Sequence, residues 1–226
     1  MPQRQVPASL MYKVCQVFCH VGMQVTFDLK VYGAEHVPAT GGVLLLSNHQ
    51  SYLDPVCVAV RLRRPVSFLA KSELFEPWGF RWLIRQLNAY PVRQGAGDIG
   101  AMKETIAKLK EGHVLTVFPE GTRTPDGELQ PLQNGFALVV RRAGVPIVPV
   151  AIEGSFRAWP RDAKVFHPSP VRVKYGPPMH MDGVKPDEIV ARVDRALHGL
   201  LEDLRRMDRA ERAEAGVGGS IMVEPR

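Results

Sequence analysis

The chain has 226 residues, of which 45% are apolar and 23% are charged, and its 29 lysines and arginines outnumber its 23 aspartates and glutamates to give a formal charge of +6. These are the values of an ordinary globular protein, so they exclude a disordered chain, a collagen and a multi-pass membrane protein. The basic balance leaves three kinds of partner open: nucleic acid, an anionic membrane surface and a phosphorylated substrate.

Residues 1–26 are expected to form an N-terminal amphipathic helix region. The stretch between Lys13 and Asp28 carries no formal charge, but it is shorter than the roughly 20 apolar residues that a spanning helix needs. Polar side chains recur at helical spacing along one stripe, and apolar residues occupy the rest of the helix surface. The polar stripe consists of Lys13, Gln16, His20 and Gln24. Two interpretations stay open, a helix packed on the protein's own core and an interfacial anchor in the plane of a membrane.

Residues 27–208 alternate short apolar runs with helical patterns. Strands are predicted at 27–32, 43–46, 66–70, 89–92, 114–118, 147–152 and 171–175, and helices at 52–62, 78–87, 98–109, 136–142 and 186–207. Strands separated by helices indicate a single α/β domain with a mostly parallel central sheet flanked by helices. Residues 209–226 are charged and then rich in glycine, and we expect them to be a disordered tail.

Polar side chains follow three of the predicted strands at their carboxyl ends. His49 and Asp54 come after 43–46, Arg93 follows 89–92, and Glu120 and Arg123 follow 114–118. Open α/β sheets bind ligands beyond the carboxyl ends of their strands. A histidine, an orienting carboxylate and two arginines at one edge would suit the deprotonation of a hydroxyl on a phosphorylated substrate.

The same residues also have purely structural interpretations. Asp54 precedes Pro55, as in a helix that is capped by aspartate and has proline at its first position. Glu120 and Gly121 could belong to a turn, and Lys71 could do no more than pair with a nearby glutamate. The order and spacing of the residues therefore carry the prediction of a site, rather than any one of them.

Four blocks of the chain resemble, in order, those of the glycerolipid acyltransferases, which include the 1-acylglycerol-3-phosphate (lysophosphatidate) acyltransferases. The blocks are Asn48–Asp54, which matches the pattern NHxSxxD, Tyr90–Arg93, Phe118–Arg123 and Val145–Val150, and the stretch Ala70–Leu74 is similar as well. The resemblance implies acyl transfer from acyl-coenzyme A or an acyl-carrier protein to the free hydroxyl of lysophosphatidate, which forms phosphatidate in phospholipid synthesis. It implies no cofactor, and the spacing of cysteines and histidines predicts no metal site.

The resemblance also implies roles for particular residues. His49 would act as general base, and Asp54 would hold its imidazole. The residues expected to bind substrate are Lys71, Arg93, Glu120, Gly121, Thr122 and Arg123. Arginine suits a phosphate because its planar fork donates two hydrogen bonds at once. Glu120 is expected to bind a glycerol hydroxyl or to position an arginine.

Most of the excess positive charge lies between Arg61 and Arg93, where seven basic residues accompany two acidic ones. The interleaved aromatic residues are Phe68, Phe75, Trp78, Phe80 and Trp82. This mixture favours an anionic phospholipid surface, and it lacks a recognisable nucleic-acid-binding motif. We therefore expect a monotopic or peripheral enzyme on the cytoplasmic face of a membrane, with no nucleic-acid partner. The alternatives are another acceptor (glycerol-3-phosphate, another lysophospholipid or a lyso-aminolipid) and a non-catalytic membrane-surface protein.

Overall fold

A computed structural model describes residues 7–92 and 99–218. Within these ranges the strands are β1 (Lys30–Tyr32), β2 (Val43–Ser47), β3 (Val66–Lys71), β4 (Ala89–Val92), β5 (Val114–Val117), β6 (Ile147–Glu153) and β7 (Arg172–Tyr175). The α-helices are α1 (Leu10–Phe27), α2 (Asp54–Ala59), α3 (Trp78–Gln86), α4 (Ile99–Lys110), α5 (Gly135–Ala143), α6 (Ser155–Ala158) and α7 (Pro186–Gly218). Two short 3₁₀ helices span Ala34–His36 and Ser72–Phe75.

The strands form one sheet in the order β1-β7-β6-β2-β5-β3-β4, and only the β6–β7 pair is antiparallel among the described strands. The prediction of a single α/β domain with a mostly parallel sheet is therefore confirmed. Strand β2 lies at the centre of the sheet, and all five of its residues are buried. Its central place puts the segment that follows it in the middle of the carboxyl edge.

The two largest parts of the core lie on opposite faces of the sheet. Val43 and Leu45 of β2 join the part that is covered by α1 and α2. Leu44 and Leu46 point the other way and join the part that is covered by α4, α5 and α7. This alternation is the period-2 pattern of a strand, and the run of apolar residues is explained because both faces are buried.

Helix α1 packs on the domain with one side and exposes apolar residues on the other. Tyr12, Met23 and Phe27 are buried in the protein. The side-chain amide of Gln16 donates hydrogen bonds to the backbone carbonyls of Ala59 (3.0 Å) and Leu62 (2.8 Å). Part of the polar stripe therefore faces the end of α2, where the last carbonyls of a helix lack donors within the helix.

Lys13 and Gln24 of α1 are exposed, but most of the exposed side chains of this helix are apolar. The exposed apolar face comprises Leu10, Met11, Val14, Val17, Phe18, Val21 and Val25. In the described part of the chain, none of the helices has the length and apolar character needed to cross a bilayer. The helix predicted in residues 1–26 is thus confirmed for Leu10–Phe27, and it belongs in part to the core.

Helix α7 is longer than the sequence predicted. It runs to Gly218, so the expectation of disorder from residue 209 is wrong for residues 209–218, and residues 219–226 lie outside the described ranges. The Glu211 carboxylate accepts hydrogen bonds from Lys30 Nζ (3.0 Å) and Arg172 Nη2 (2.8 Å). These contacts, together with alanine and charged residues that favour helix, extend α7 along the edge of the sheet.

Candidate active site

Two loops at the carboxyl edge of the sheet form the candidate site. They are residues 48–54 after β2 and residues 118–124 after β5, and they leave the sheet side by side because these strands are parallel neighbours. The backbone N–H of His49 donates to Glu120 Oε1 (2.6 Å), and the backbone N–H of Thr124 donates to the carbonyl of His49 (2.8 Å). The two loops therefore hold each other in place through the backbone of His49.

His49 and Asp54 lie in direct contact, as the sequence predicted. The distance between His49 Nδ1 and Asp54 Oδ2 is 2.8 Å, and the Asp54 side chain is fully buried, whereas that of His49 is 19% exposed. A proton on Nδ1 is the tautomer that this partner favours, which leaves Nε2 as the proton acceptor. The imidazole also stacks on Phe118, with 4.0 Å between the ring centroids. The pair is arranged to take a proton from a hydroxyl.

The Asp54 carboxylate is held by the loop that precedes it. Oδ2 also accepts hydrogen bonds from the backbone N–H groups of Gln50 (2.6 Å) and Ser51 (2.7 Å), and Oδ1 accepts one from the Ser155 hydroxyl (2.7 Å). Leu53 occupies the N-cap position of α2, and Asp54 is the first residue of the helix. The interpretation of Asp54 as a helix cap is therefore wrong, because its side chain turns back to the loop instead of forward into α2.

Side chains of the 48–54 loop form hydrogen bonds with the backbone of β6 and with the backbone at Gly127 and Trp159. Asn48 exchanges two hydrogen bonds with the backbone of Ile152, at 2.8 and 2.9 Å. The Gln50 amide donates to the carbonyl of Gly127 (2.7 Å), and the Ser51 hydroxyl donates to that of Trp159 (2.7 Å). The polar residues of this block are thus used to fix the backbone that carries His49 and Asp54.

Glu120 is buried, and both of its carboxylate oxygens contact backbone donors. Oε1 accepts from His49, and Oε2 accepts from the backbone N–H of Gln130 (2.9 Å). Burial raises the pKa of Glu120 to about 7, and the two backbone donors oppose that rise. The contact to the His49 backbone was not predicted from the sequence.

The structure describes three of the other predicted binding residues, which are Gly121, Thr122 and Lys71. Gly121 has φ of +76°, which lies in the left-handed region that favours glycine. Thr122 is exposed beside it. Lys71 is the last residue of β3, two strands from β2 in the sheet order, and Arg93 lies outside the described residues.

Arg123 lies over the ring of Tyr52, with 3.5 Å between its Cζ atom and the ring centroid. Its Nη1 atom is buried and has no hydrogen-bond partner within residues 7–92 and 99–218. A guanidinium with an unpaired N–H edge, in the loop whose Thr124 N–H donates to the His49 carbonyl, is suited to bind an anionic group of a ligand. Within those same ranges, no group of histidines, cysteines, aspartates and glutamates is placed to hold a metal ion.

Sequence reasoning missed three residues of this arrangement. Phe118 and Tyr52 lie inside the recognised blocks, but nothing in their spacing indicated that they would stack on His49 and Arg123. Ser155 is 101 residues from Asp54 in the chain, so no local pattern could associate the two. Its position directly after β6, at the same edge of the sheet, is the one signal that could have found it.

Comparison with known proteins identifies the family. A family model described as Acyltransferase matches residues 28–153, more than half of the chain. The 1-acyl-sn-glycerol-3-phosphate acyltransferase of Bacillus subtilis is 30% identical over 172 residues, which cover 75% of this chain and 83% of that protein. The 1-acyl-sn-glycerol-3-phosphate acyltransferase alpha of Ovis aries is 30% identical over 213 residues, which cover 91% and 71%.

A solved structure agrees with the sequence comparison. The crystal structure of the 1-acyl-sn-glycerophosphate (LPA) acyltransferase PlsC from Thermotoga maritima has a TM-score of 0.75 and 29% identity, and the match covers 85% of this chain and 79% of that one. The shared fold, the family match and the ordered sequence blocks around His49, Glu120 and Arg123 have one explanation: the chain belongs to the acyltransferase family, as its sequence blocks predicted.

Proposed function

We propose that this chain is a 1-acylglycerol-3-phosphate O-acyltransferase, which moves a fatty acyl group from a thioester to the free hydroxyl of lysophosphatidate and forms phosphatidate for phospholipid synthesis. The observation that carries the proposal is the 2.8 Å contact between His49 Nδ1 and the buried Asp54 carboxylate. It occurs in a chain that is 30% identical, over most of its length, to relatives bearing that name.

His49 acts as general base in the proposed reaction. An unactivated hydroxyl is a poor nucleophile at neutral pH, and a positioned base contributes a factor of about 10² to 10⁴ in rate. The hydroxyl proton passes to His49 Nε2 while the oxygen attacks the thioester carbonyl and the new C–O bond forms. When the tetrahedral intermediate collapses, the C–S bond breaks and the proton passes to the departing thiolate. Asp54 stabilises the imidazolium through the Nδ1 contact.

Binding of the substrates involves the loop that follows β5. The Arg123 guanidinium receives the phosphate, with Arg93 and Lys71 as further cations, and Gly121 and Thr122 line the same turn. Glu120 contributes by holding the backbone of His49. The acyl donor is acyl-coenzyme A or an acyl-carrier protein, and no cofactor takes part.

We also propose that the enzyme works at the cytoplasmic face of a phospholipid membrane. The exposed apolar face of α1 supports contact with a membrane surface, as do Trp78 and Trp82, which are exposed on α3 among basic residues. Aromatic and cationic side chains together favour an interfacial position on anionic lipid.

Acyl transfer from a labelled thioester in detergent micelles tests the function. Lysophosphatidate should give labelled phosphatidate at a higher kcat/KM than glycerol-3-phosphate, another lysophospholipid or a lyso-aminolipid. Acyl-coenzyme A and acyl-carrier protein are compared as donors. Absence of product with every acceptor would contradict the enzymatic function, and a preference for another acceptor would replace lysophosphatidate.

The mechanism is tested by His49→Ala and Asp54→Asn. Asp54→Asn keeps the shape of the carboxylate but loses the charge opposite the imidazolium, and the analogous change in a serine-protease triad lowers kcat by about 10⁴. We expect a loss of that order for Asp54→Asn and at least a hundredfold loss for His49→Ala. His198→Ala, which changes an exposed histidine of α7, should keep the full rate. An unchanged rate for His49→Ala would disprove the mechanism.

A further inference from the structure

We propose that Tyr52 is a positioning residue, which holds the guanidinium of Arg123 by stacking so that its N–H edge receives the phosphate of the acyl acceptor. The proposal rests on the proposed function, because it places that phosphate at Arg123. Tyr52 occupies a position that the pattern NHxSxxD of the first sequence block does not specify, so the proposal gives a role to a residue outside that pattern.

Arg123 is partly buried, and its guanidinium contacts an aromatic ring. Its Cζ lies 3.5 Å from the centroid of the Tyr52 ring, and its buried Nη1 lacks a hydrogen-bond partner among the described residues. A carboxylate partner would occupy the same N–H groups that a phosphate needs. An aromatic ring touches only the face of the guanidinium and attracts its charge, which leaves the N–H edge free.

The Tyr52 ring also packs against a second aromatic residue, Trp159. The two ring centroids lie 5.4 Å apart. The Trp159 carbonyl accepts the Ser51 hydroxyl, and its indole N–H donates to the carbonyl of Ala163 (3.0 Å). No hydrogen bond is formed by the Tyr52 hydroxyl to any residue that the structure describes. The ring is therefore the part of Tyr52 that acts on Arg123, and a phenylalanine at this position should hold Arg123 equally well.

The stacking connects the phosphate position to the base. The 48–54 loop supplies His49 and Tyr52, and the loop that follows β5 supplies Phe118 and Arg123. Each loop thus contributes one aromatic ring that stacks on a functional side chain of the other loop. Phe118 stacks on His49, and Tyr52 stacks on Arg123. Because the base and the ring share one short loop, Tyr52 fixes Arg123 relative to His49, and with it the distance between the bound phosphate and the reacting hydroxyl.

The test compares Tyr52→Leu, Tyr52→Phe and a matched control. Tyr52→Leu keeps an apolar side chain but removes the ring, and we expect the KM for lysophosphatidate to rise about tenfold, within the range of cation–π energies, while kcat changes less than threefold. Tyr52→Phe should keep the KM of the unaltered protein. The control is Phe166→Leu, since Phe166 is 50% exposed against 53% for Tyr52, packs on Phe27 and Trp159, and has no cation–π contact with Arg123 among the described residues. It should leave KM unchanged.

A double variant and a binding measurement separate this proposal from the proposed function. In an Arg123→Ala background, Tyr52→Leu should have no further effect on KM, because the ring acts through the arginine. Affinity for lysophosphatidate micelles, measured by calorimetry without acyl donor, should fall about tenfold in Tyr52→Leu. Unchanged affinity in a folded Tyr52→Leu protein would overturn the role of Tyr52. Binding that weakens as expected in a protein without turnover would overturn the proposed function and leave the role of Tyr52 standing.

Discussion

Glu120 shows how a single residue can couple the two loops of the site to pH. Its buried carboxylate offers one oxygen to each of two backbone N–H groups, those of His49 and Gln130. Burial favours the protonated form, which raises the pKa from 4.5 to about 7. The group therefore changes its charge near neutral pH, at the position where it holds the backbone of His49.

The raised pKa of Glu120 predicts a pH-dependent stability. Between pH 4.5 and about 7 the folded protein binds a proton that the unfolded chain has released, so the free energy of unfolding decreases as the pH rises through this window. Glu120→Gln removes this titration. Urea denaturation gives the free energy of unfolding of both proteins at each pH. We expect the value for the unaltered protein minus the value for Glu120→Gln to decrease from pH 5 to about pH 7 and then to level off. A difference that is constant with pH would contradict this prediction.

Local sequence patterns predicted the residues of the site better than their contacts. His49 and Asp54 are five apart in one short loop, so a turn brings them together, and the sequence could predict their contact. Asp54 before Pro55 is also the pattern of a capped helix, and the pattern alone could not decide which way the carboxylate points. The deciding partner, Ser155, comes from the other side of β2 in the sheet and depends on the order of the strands.

At the scale of elements, α1 shows that an amphipathic pattern does not identify the partner of each face. The sequence predicted a polar stripe and an apolar face, and both exist. Gln16 of the polar stripe contacts the protein, however, while Phe18 of the apolar face is 81% exposed. Carbonyls at the end of α2 attract the polar side, so the apolar side stays available for another partner.

The exposed face of α1 predicts a specific loss of membrane binding. Phe18→Ser should lower partitioning to vesicles of anionic phospholipid by about tenfold or more, since burial of a phenylalanine side chain contributes roughly 1.5–3 kcal/mol. Because the side chain is already exposed, the melting temperature should not change. Leu138→Ser on α5, which lies on the opposite face of the sheet, is the control and should bind vesicles normally. Equal vesicle binding of Phe18→Ser and Leu138→Ser would exclude this face as the membrane contact.

For the molecule as a whole, the sequence predicted the layers but not the connections between distant parts of the chain. Alternating strands and helices determine an α/β sheet, because each crossover favours parallel neighbours. The antiparallel β6–β7 pair joins residues only 19 to 25 positions apart in the chain, but the pairing of β1 with β7 depends on contacts between segments about 140 residues apart. The same holds for the end of α7, whose charged residues resemble a solvated tail until Arg172 of β7 is placed beside them.

The ion pairs between α7 and the sheet edge predict how much the end of this helix contributes to stability. Arg172 is only 4% exposed and donates to Glu211, Asp28 and nearby carbonyls, so loss of Glu211 leaves a buried charge less well paired. We expect Glu211→Ala to lower the free energy of unfolding by about 1–2 kcal/mol and the melting temperature by roughly 2–8 °C.

The contribution of Glu211 should depend on pH. Hydrogen bonds from Arg172 and Lys30 lower the pKa of Glu211, so the stabilisation is present above the ordinary carboxyl pKa of 4.5 and is lost as the pH falls below that value. Arg206→Ala removes an ion pair of the same helix whose arginine is 76% exposed, and it should change stability by less than about 0.5 kcal/mol. Equal melting temperatures of the two variants near pH 7 would show that the end of α7 does not stabilise the fold.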